Sequence, residues 1–326
     1  MTPVWALLFS ASLWGLTWWP LKHFAAHGLS GPALAMLAYG LAGLAGLPWL
    51  LMQRRQWRTQ ATWLLLIALV GGWANTAFVT ALVLGDVVRV MLLFYLAPAW
   101  SVLGGWLFLG ERVSRRRGMA LALSLCGAFL VVGGVSAFDS PLSASDLLAI
   151  TAGLCFSGNN ILARKAQWVP AASKTVGVLL GCGLISALML AWVAWVAAGQ
   201  GSAAPALDLS GVDLGTAWRF VAFSLLWMGL VTFTWQWSVS RLEAGRSGVI
   251  AIAELAVALV SATLLGAETM TLLECMGAAV IACAAVLEAT DNPTSDAPMP
   301  TPPTQSSPPT QSSPSSPSDL PIKETP

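Results

Sequence analysis

The chain has 326 residues, of which 56% are hydrophobic and only 10% charged, with a formal net charge of +1 and a mean hydropathy of +0.73. Soluble domains carry about one quarter charged residues, so this composition excludes an ordinary soluble protein and points to the membrane class. With no basic stripe along the chain, it also excludes nucleic-acid binding.

Ten apolar segments stand between charged or Pro/Gly-rich breaks, at residues 4–22, 31–52, 62–84, 87–110, 118–137, 146–163, 174–198, 217–240, 247–267 and 271–290. Each is about 20 residues long, the length a helix needs to cross ~30 Å of hydrocarbon. The first reads as a retained helix, because no Lys or Arg precedes it and Trp18-Trp19-Pro20 stands where a signal peptide would be cleaved. It holds Trp14 and Trp18 and ends on Lys22, an interfacial anchor, and on His23, which has no metal partner in view. The second carries Gly40-x-x-Gly43-x-x-Gly46 and the seventh Gly177-x-x-x-Gly181. Small residues of this kind let helices approach closely, and packing within one chain is the expected use; a homodimer face is the alternative to a monomer.

Polar side chains inside apolar segments need protein partners, since lipid supplies none. Asn75 and Thr76 in the third segment, Asn159 and Asn160 in the sixth and Gln236 in the eighth therefore face the interior, lining a cavity or holding helices together. For Asn159 and Asn160 packing is the favoured role. Of the 17 tryptophans, Trp14, Trp18, Trp73, Trp100, Trp235 and Trp237 lie deep, with Tyr95; a lipid-facing or core role is the default for each, and an aromatic wall for apolar or cationic groups is their collective alternative. The fourth segment is the most distinctive: Val87–Glu111 has Arg89 near one end, Pro98 at mid-depth and Gly110-Glu111 at the other. Arg89 is a candidate clamp for a substrate carboxylate, with an ion pair to Asp86 or snorkelling as the alternatives. Glu254 lies about seven residues into the ninth segment, ~10 Å deep at 1.5 Å per residue. A charge there costs at least ~2.5–3.5 kcal/mol unless it is paired, hydrated or protonated, which suits proton coupling or contact with a substrate ammonium group; a structural carboxyl bonded to a neighbouring hydroxyl, amide or Arg is the alternative. The five cysteines form no C-x-x-C pair and read as buried free thiols.

Thirteen of the 16 basic residues fall in connections that share one side if the N-terminus is cytoplasmic, and only Lys22, Arg89 and Arg219 fall on the other. The positive-inside rule then gives ten helices with both termini in the cytoplasm, in the inner (plasma) membrane. From Asp291 the composition turns to Pro, Ser, Thr and Gln, with 11 of the 19 prolines, so residues 291–326 read as a disordered cytoplasmic tail.

The fourth segment returns 157 residues later as Ala244–Glu268, with Leu255 in place of Pro98 and Gly266-Ala267-Glu268 in place of Gly110-Glu111. The first and sixth segments also echo each other, and Trp73 pairs with Trp235. Five helices per repeat forces the second repeat to insert upside down, so the expected fold is an all-α polytopic membrane protein of two inverted five-helix repeats, 1–138 and 139–290. Without a proline at position 255, a bend in the ninth helix like that of the fourth is not to be assumed.

The run Leu92–Ser114, LLFYLAPAWSVLGGWLFLGERVS, and the opening LWGLTWW resemble the drug/metabolite transporter superfamily, in particular its EamA family of ten-helix carriers. That resemblance implies a secondary transporter of a small metabolite, most often an exporter of amino acids or related compounds, working across the lipid bilayer without a cofactor. The residues themselves agree in part: there is no Walker A sequence, no H-E-x-x-H and no G-x-S-x-G, so neither ATP-driven pumping nor a common hydrolase is expected. The remaining alternative is a non-transporting scaffold or sensor acting through the Pro-rich tail. The candidate binding or coupling residues are Glu254, Arg89, Tyr95, Pro98, Trp14, Trp18, Trp73, Asn75, Trp235 and Gln236.

Overall fold

Helix runs through each of the ten apolar segments of the computed structural model, which describes residues 2–27, 31–84, 90, 93–131, 141–199, 212–265 and 271–289. In chain order the helices are α1 (Pro3–Leu16), α2 (Trp18–Ala25), α3 (Gly31–Met52), α4 (Arg54–Trp57), α5 (Ala61–Leu84), α6 (Ala97–Leu109), α7 (Arg115–Val131), α8 (Ala144–Lys165), α9 (Ala171–Gly199), α10 (Leu214–Ala222), α11 (Gly229–Val239), α12 (Ala244–Ala251), α13 (Ala253–Leu264) and α14 (Leu272–Ala289). A π-helical stretch, Phe223–Met228, joins α10 to α11. Six spans among the described residues are long and apolar enough to cross a membrane: Pro3–Ala25, Gly31–Met52, Arg54–Ala81, Ala144–Lys165, Ala171–Gly199 and Leu214–Val239.

The outer surface fits a lipid solvent. Trp5, Trp49, Leu107, Phe108, Trp192, Trp195 and Leu226 are all exposed, as a soluble protein would not tolerate in such number. The same surface corrects the reading of the cysteines. Cys126, Cys275 and Cys283 are exposed free thiols, and only Cys182 is fully buried. A thiol is a small apolar group and costs nothing against lipid tails.

Helix ends follow local chemistry. Ser143 caps α8 in a reciprocal box, its hydroxyl accepting the Asp146 N–H at 3.3 Å while its own N–H donates to Asp146 Oδ2 at 2.7 Å. Gly110 ends α6 with φ +68°, a left-handed conformation that glycine adopts without a Cβ penalty. The turn lets the Glu111 N–H reach back to the Gly105 carbonyl at 3.1 Å.

The glycine stripes pack inside the chain, as expected. The α-carbons of Gly40 and Gly183 face each other between α3 and α9, and a Cβ on Gly181 would stand 2.0 Å from the Ala68 carbonyl oxygen of α5. Two interruptions shape the centre. The helical run before α6 breaks at Tyr95 and Leu96, just ahead of Pro98, and the ninth segment breaks at Ile252, between α12 and α13. Ile252 is 157 residues after Tyr95, so the second break falls at the matching position although no proline is present. There the Ile252 N–H bonds Val249 O at 3.3 Å and the Leu255 N–H bonds Ile252 O at 3.1 Å, three-residue rather than four-residue steps. A bend in the ninth segment, not to be assumed from a sequence without the proline, is thus present.

Candidate functional site

The site is built where α1 meets α13. A Cβ on Gly15 would stand 2.5 Å from the Glu254 carbonyl oxygen, so only glycine lets the two helices approach this closely. Side chains hold the contact on both sides. Trp18 Nε1 donates to Ser261 Oγ at 3.0 Å, Trp227 Nε1 to Thr17 Oγ1 at 2.9 Å, and Ser10 Oγ to the Val231 carbonyl at 2.8 Å. On the facing side, Tyr39 OH donates to Asn75 Oδ1 at 2.9 Å, and the Asn75 amide donates to the Gly71 carbonyl at 2.8 Å. A Cβ on Gly71 would meet Asn159 Oδ1 at 2.8 Å, so this glycine makes room for the next polar group. That group links α8 to α11: Gln236 Nε2 donates to Asn159 Oδ1 at 3.2 Å and Trp235 Nε1 to Asn160 Oδ1 at 3.1 Å.

These elements enclose a cavity of two lobes that meet at Trp14, Asn75, Phe78 and Glu254. The first lobe is walled by Phe94, Phe156, Trp235, Gln236, Asn159 and Thr232 as well. The second runs past Trp18, Tyr39 and Tyr95 toward Leu21 and Leu34, at the end of the bundle that holds the connection from α2 to α3. Their aromatic rings form a continuous wall: ring centroids are 4.3 Å apart for Phe78–Phe94, 5.5 Å for Phe94–Phe156 and 5.2 Å for Phe156–Trp235. Glu254 is the one charged residue among the described lining residues of either lobe. It is partly buried and shares the lining of the second lobe with Tyr39 and Tyr95. Gln236 Oε1 and the Thr232 hydroxyl are buried with no hydrogen-bond partner among the described residues.

At the opposite end, polar bonds tie the structure shut. The Glu111 carboxylate accepts the Ala244 N–H at 2.8 Å and the Gly245 N–H at 3.2 Å, capping α12 where the helix dipole favours an anion. A Cβ on Gly105 would stand 2.4 Å from Glu111 Oε2, so glycine at 105 leaves space for that carboxylate. Burial pushes the Glu111 carboxyl above its ordinary range, and the two backbone N–H groups offset part of this. Beside it Arg117 pairs with Glu243. Lys174, fully buried, donates from Nζ to the carbonyls of Ala163 at 3.1 Å and Ala166 at 3.2 Å and to the Ser240 hydroxyl, which in turn donates to the Gln236 carbonyl. Ser173 donates to Gln53 Oε1 at 2.7 Å at the same end.

Of the residues singled out by sequence, the cavity brings together Trp14, Trp18, Asn75, Tyr95, Trp235, Gln236 and Glu254. Pro98 and Trp73 fall outside the lining. Pro98 packs on α12 at Gly248, and Trp73 Nε1 donates to Thr151 Oγ1 at 3.3 Å. Arg89 and Asp86 lie outside the described residues, as do Glu268 and the tail. Asn159 both lines the first lobe and holds α8 to α11, so the choice between cavity and packing was not exclusive. Sequence reasoning passed over Tyr39, Phe78, Phe94, Phe156 and Thr232, because an aromatic or Thr in an apolar run carries no sign of which way it faces. It also placed Lys174 at a helix boundary, whereas α9 begins three residues earlier, at Ala171, and buries it.

A family model of EamA-like transporters matches residues 1–133, the first of the two repeats read from the sequence. No curated protein matches the chain. Among solved structures, 28 chains match. One, titled only as the crystal structure of a protein, aligns with a TM-score of 0.69 at 17% identity, covering 87% of this chain and 94% of that one. At that identity the likeness is one of fold.

Proposed function

We infer, from a multi-pass chain whose residues 1–133 belong to the EamA-like transporter family, that this protein is a secondary transporter carrying a small metabolite by alternating access. The observation that carries this reading is the asymmetry about Glu254. A cavity with one carboxylate among its described lining residues, and polar atoms unpaired among the described residues, runs toward one end of the bundle, while the other end is tied by Glu111, Arg117 and Lys174. A carrier caught in one of its two states has this form, with a site near mid-depth reached from one side only.

The tied end bears Arg54, Arg55, Arg58, Arg112, Arg115–117, Arg164, Lys165, Arg241 and Arg246, so the positive-inside rule makes it cytoplasmic and both termini with it. The matching breaks at Tyr95 and Ile252 support two inverted repeats, with the tie between Glu111 of the first and α12 of the second as a contact that must open. The family resemblance favours amino acids or related compounds as substrates and export as the direction. The reading is tested by counterflow in proteoliposomes of the purified full chain, with a labelled panel of amino acids, amines, sugars and polyamines. Saturable, trans-stimulated uptake of one class is the expected result. Uptake of none by folded protein would contradict it.

A further inference from the structure

We propose that the substrate is an organic cation, a primary or secondary ammonium on an apolar or aromatic body, held by Glu254 and the ring wall beside it. The proposal rests on the carrier reading and sets amines, as compounds related to amino acids, above the amino acids themselves. Its basis is a charge imbalance. Both lobes contain one carboxylate, Glu254, and no Lys or Arg among their described lining residues. The ammonium of Lys22 stands outside them, in an exposed side chain and 5.3 Å from the centroid of the Trp18 ring. A zwitterionic amino acid brought into this cavity places its ammonium well and its carboxylate badly, because a desolvated anion then lies near Glu254 without a described cation to meet it. A cation meets no like charge among the described lining residues.

The remaining walls agree. The faces of Phe78, Phe94, Phe156 and Trp235 form one connected surface, and aromatic faces attract cations most where water is excluded. Gln236 Oε1 is a buried acceptor with no donor among the described residues, which an ammonium N–H satisfies and a quaternary nitrogen does not. The amide is oriented for this by its own donation to Asn159.

The test is equilibrium binding to the detergent-purified full chain at neutral pH. The probes share a 2-phenylethyl, indolylethyl or hexyl body and carry an ammonium, an α-amino-acid zwitterion or a carboxylate; each binder is then tried in counterflow. The amines are expected to bind about tenfold or more tightly than the matching zwitterions, the worth of one charge-assisted contact, with the anions weakest. Glu254→Gln should remove that margin, and Glu254→Asp, which keeps the charge, should preserve the order of preference. Zwitterions or anions binding as tightly as amines, amine affinity unchanged in Glu254→Gln, or no probe binding would each overturn the proposal. Exchange of some other metabolite in that case leaves the carrier reading standing. Glu254-dependent amine binding without exchange of any compound instead removes the carrier and leaves the cation site.

Discussion

At the scale of the residue, the site depends on a few atoms that are absent as much as on those present. Gly15 is the sharpest case, because the space its missing Cβ would fill is occupied by the Glu254 carbonyl and the Val257 side chain. Gly15→Ala is expected to force α1 away from α13 and to cost about 1–3 kcal/mol, as overpacking does. Gly118→Ala, inside α7 with nothing near its missing Cβ, should instead gain about 0.5–1 kcal/mol. Thermal unfolding of the two variants in one detergent checks the contrast; equal shifts would contradict it. Lys174→Met should cost about 1–3 kcal/mol, since the Ala163 carbonyl and the Ser240 hydroxyl each lose a buried partner. Glu254 was legible in the sequence because a carboxylate inside an apolar run is costly and calls for a reason. Lys174 was not, because three residues of error in a helix boundary separate a snorkelling lysine from a buried one.

At the scale of the element, the ten apolar segments were readable from hydropathy, and helix runs through each. The interruption at Ile252 was not readable, since neither Gly nor Pro marks it. It becomes intelligible only against the first repeat, where Tyr95 and Leu96 break the helix at the matching place. Leu255 lies in the first turn of α13, where a proline loses one N–H bond and meets no regular ladder behind it. Leu255→Pro should therefore unfold at a higher temperature than Ala258→Pro, one turn further in, where a proline costs about 3 kcal/mol or more. The reverse order would mean that α12 and α13 act as one unbroken helix. An aromatic wall was foreseen through Trp235, but Phe78, Phe94 and Phe156 were hidden as its partners, because rings from four segments meet only after the helices pack.

At the scale of the whole molecule, the tied end and the cavity belong to one device. Glu111 holds its proton to a higher pH in the folded protein than in the unfolded chain, as burial dictates. As pH climbs from about 4.5 through that raised value, the unfolded chain ionises first, so this group's contribution to stability falls. Glu111→Gln should flatten that part of the stability–pH curve; an unchanged slope would mean the carboxyl is not buried in the tie. A carrier needs only its helical repeats, so a chain ending at residue 290 should keep most of its flux, whereas a scaffold acting through its tail would lose its function. The most direct measurement is two-sided accessibility of the first lobe. Thr232→Cys in a chain freed of its five native cysteines is exposed, in oriented proteoliposomes, to a membrane-impermeant thiol reagent applied from either face. Alternating access predicts labelling from both faces, slowed from both by bound substrate. Labelling from one face alone, with or without substrate, would identify a blind pocket and contradict the account.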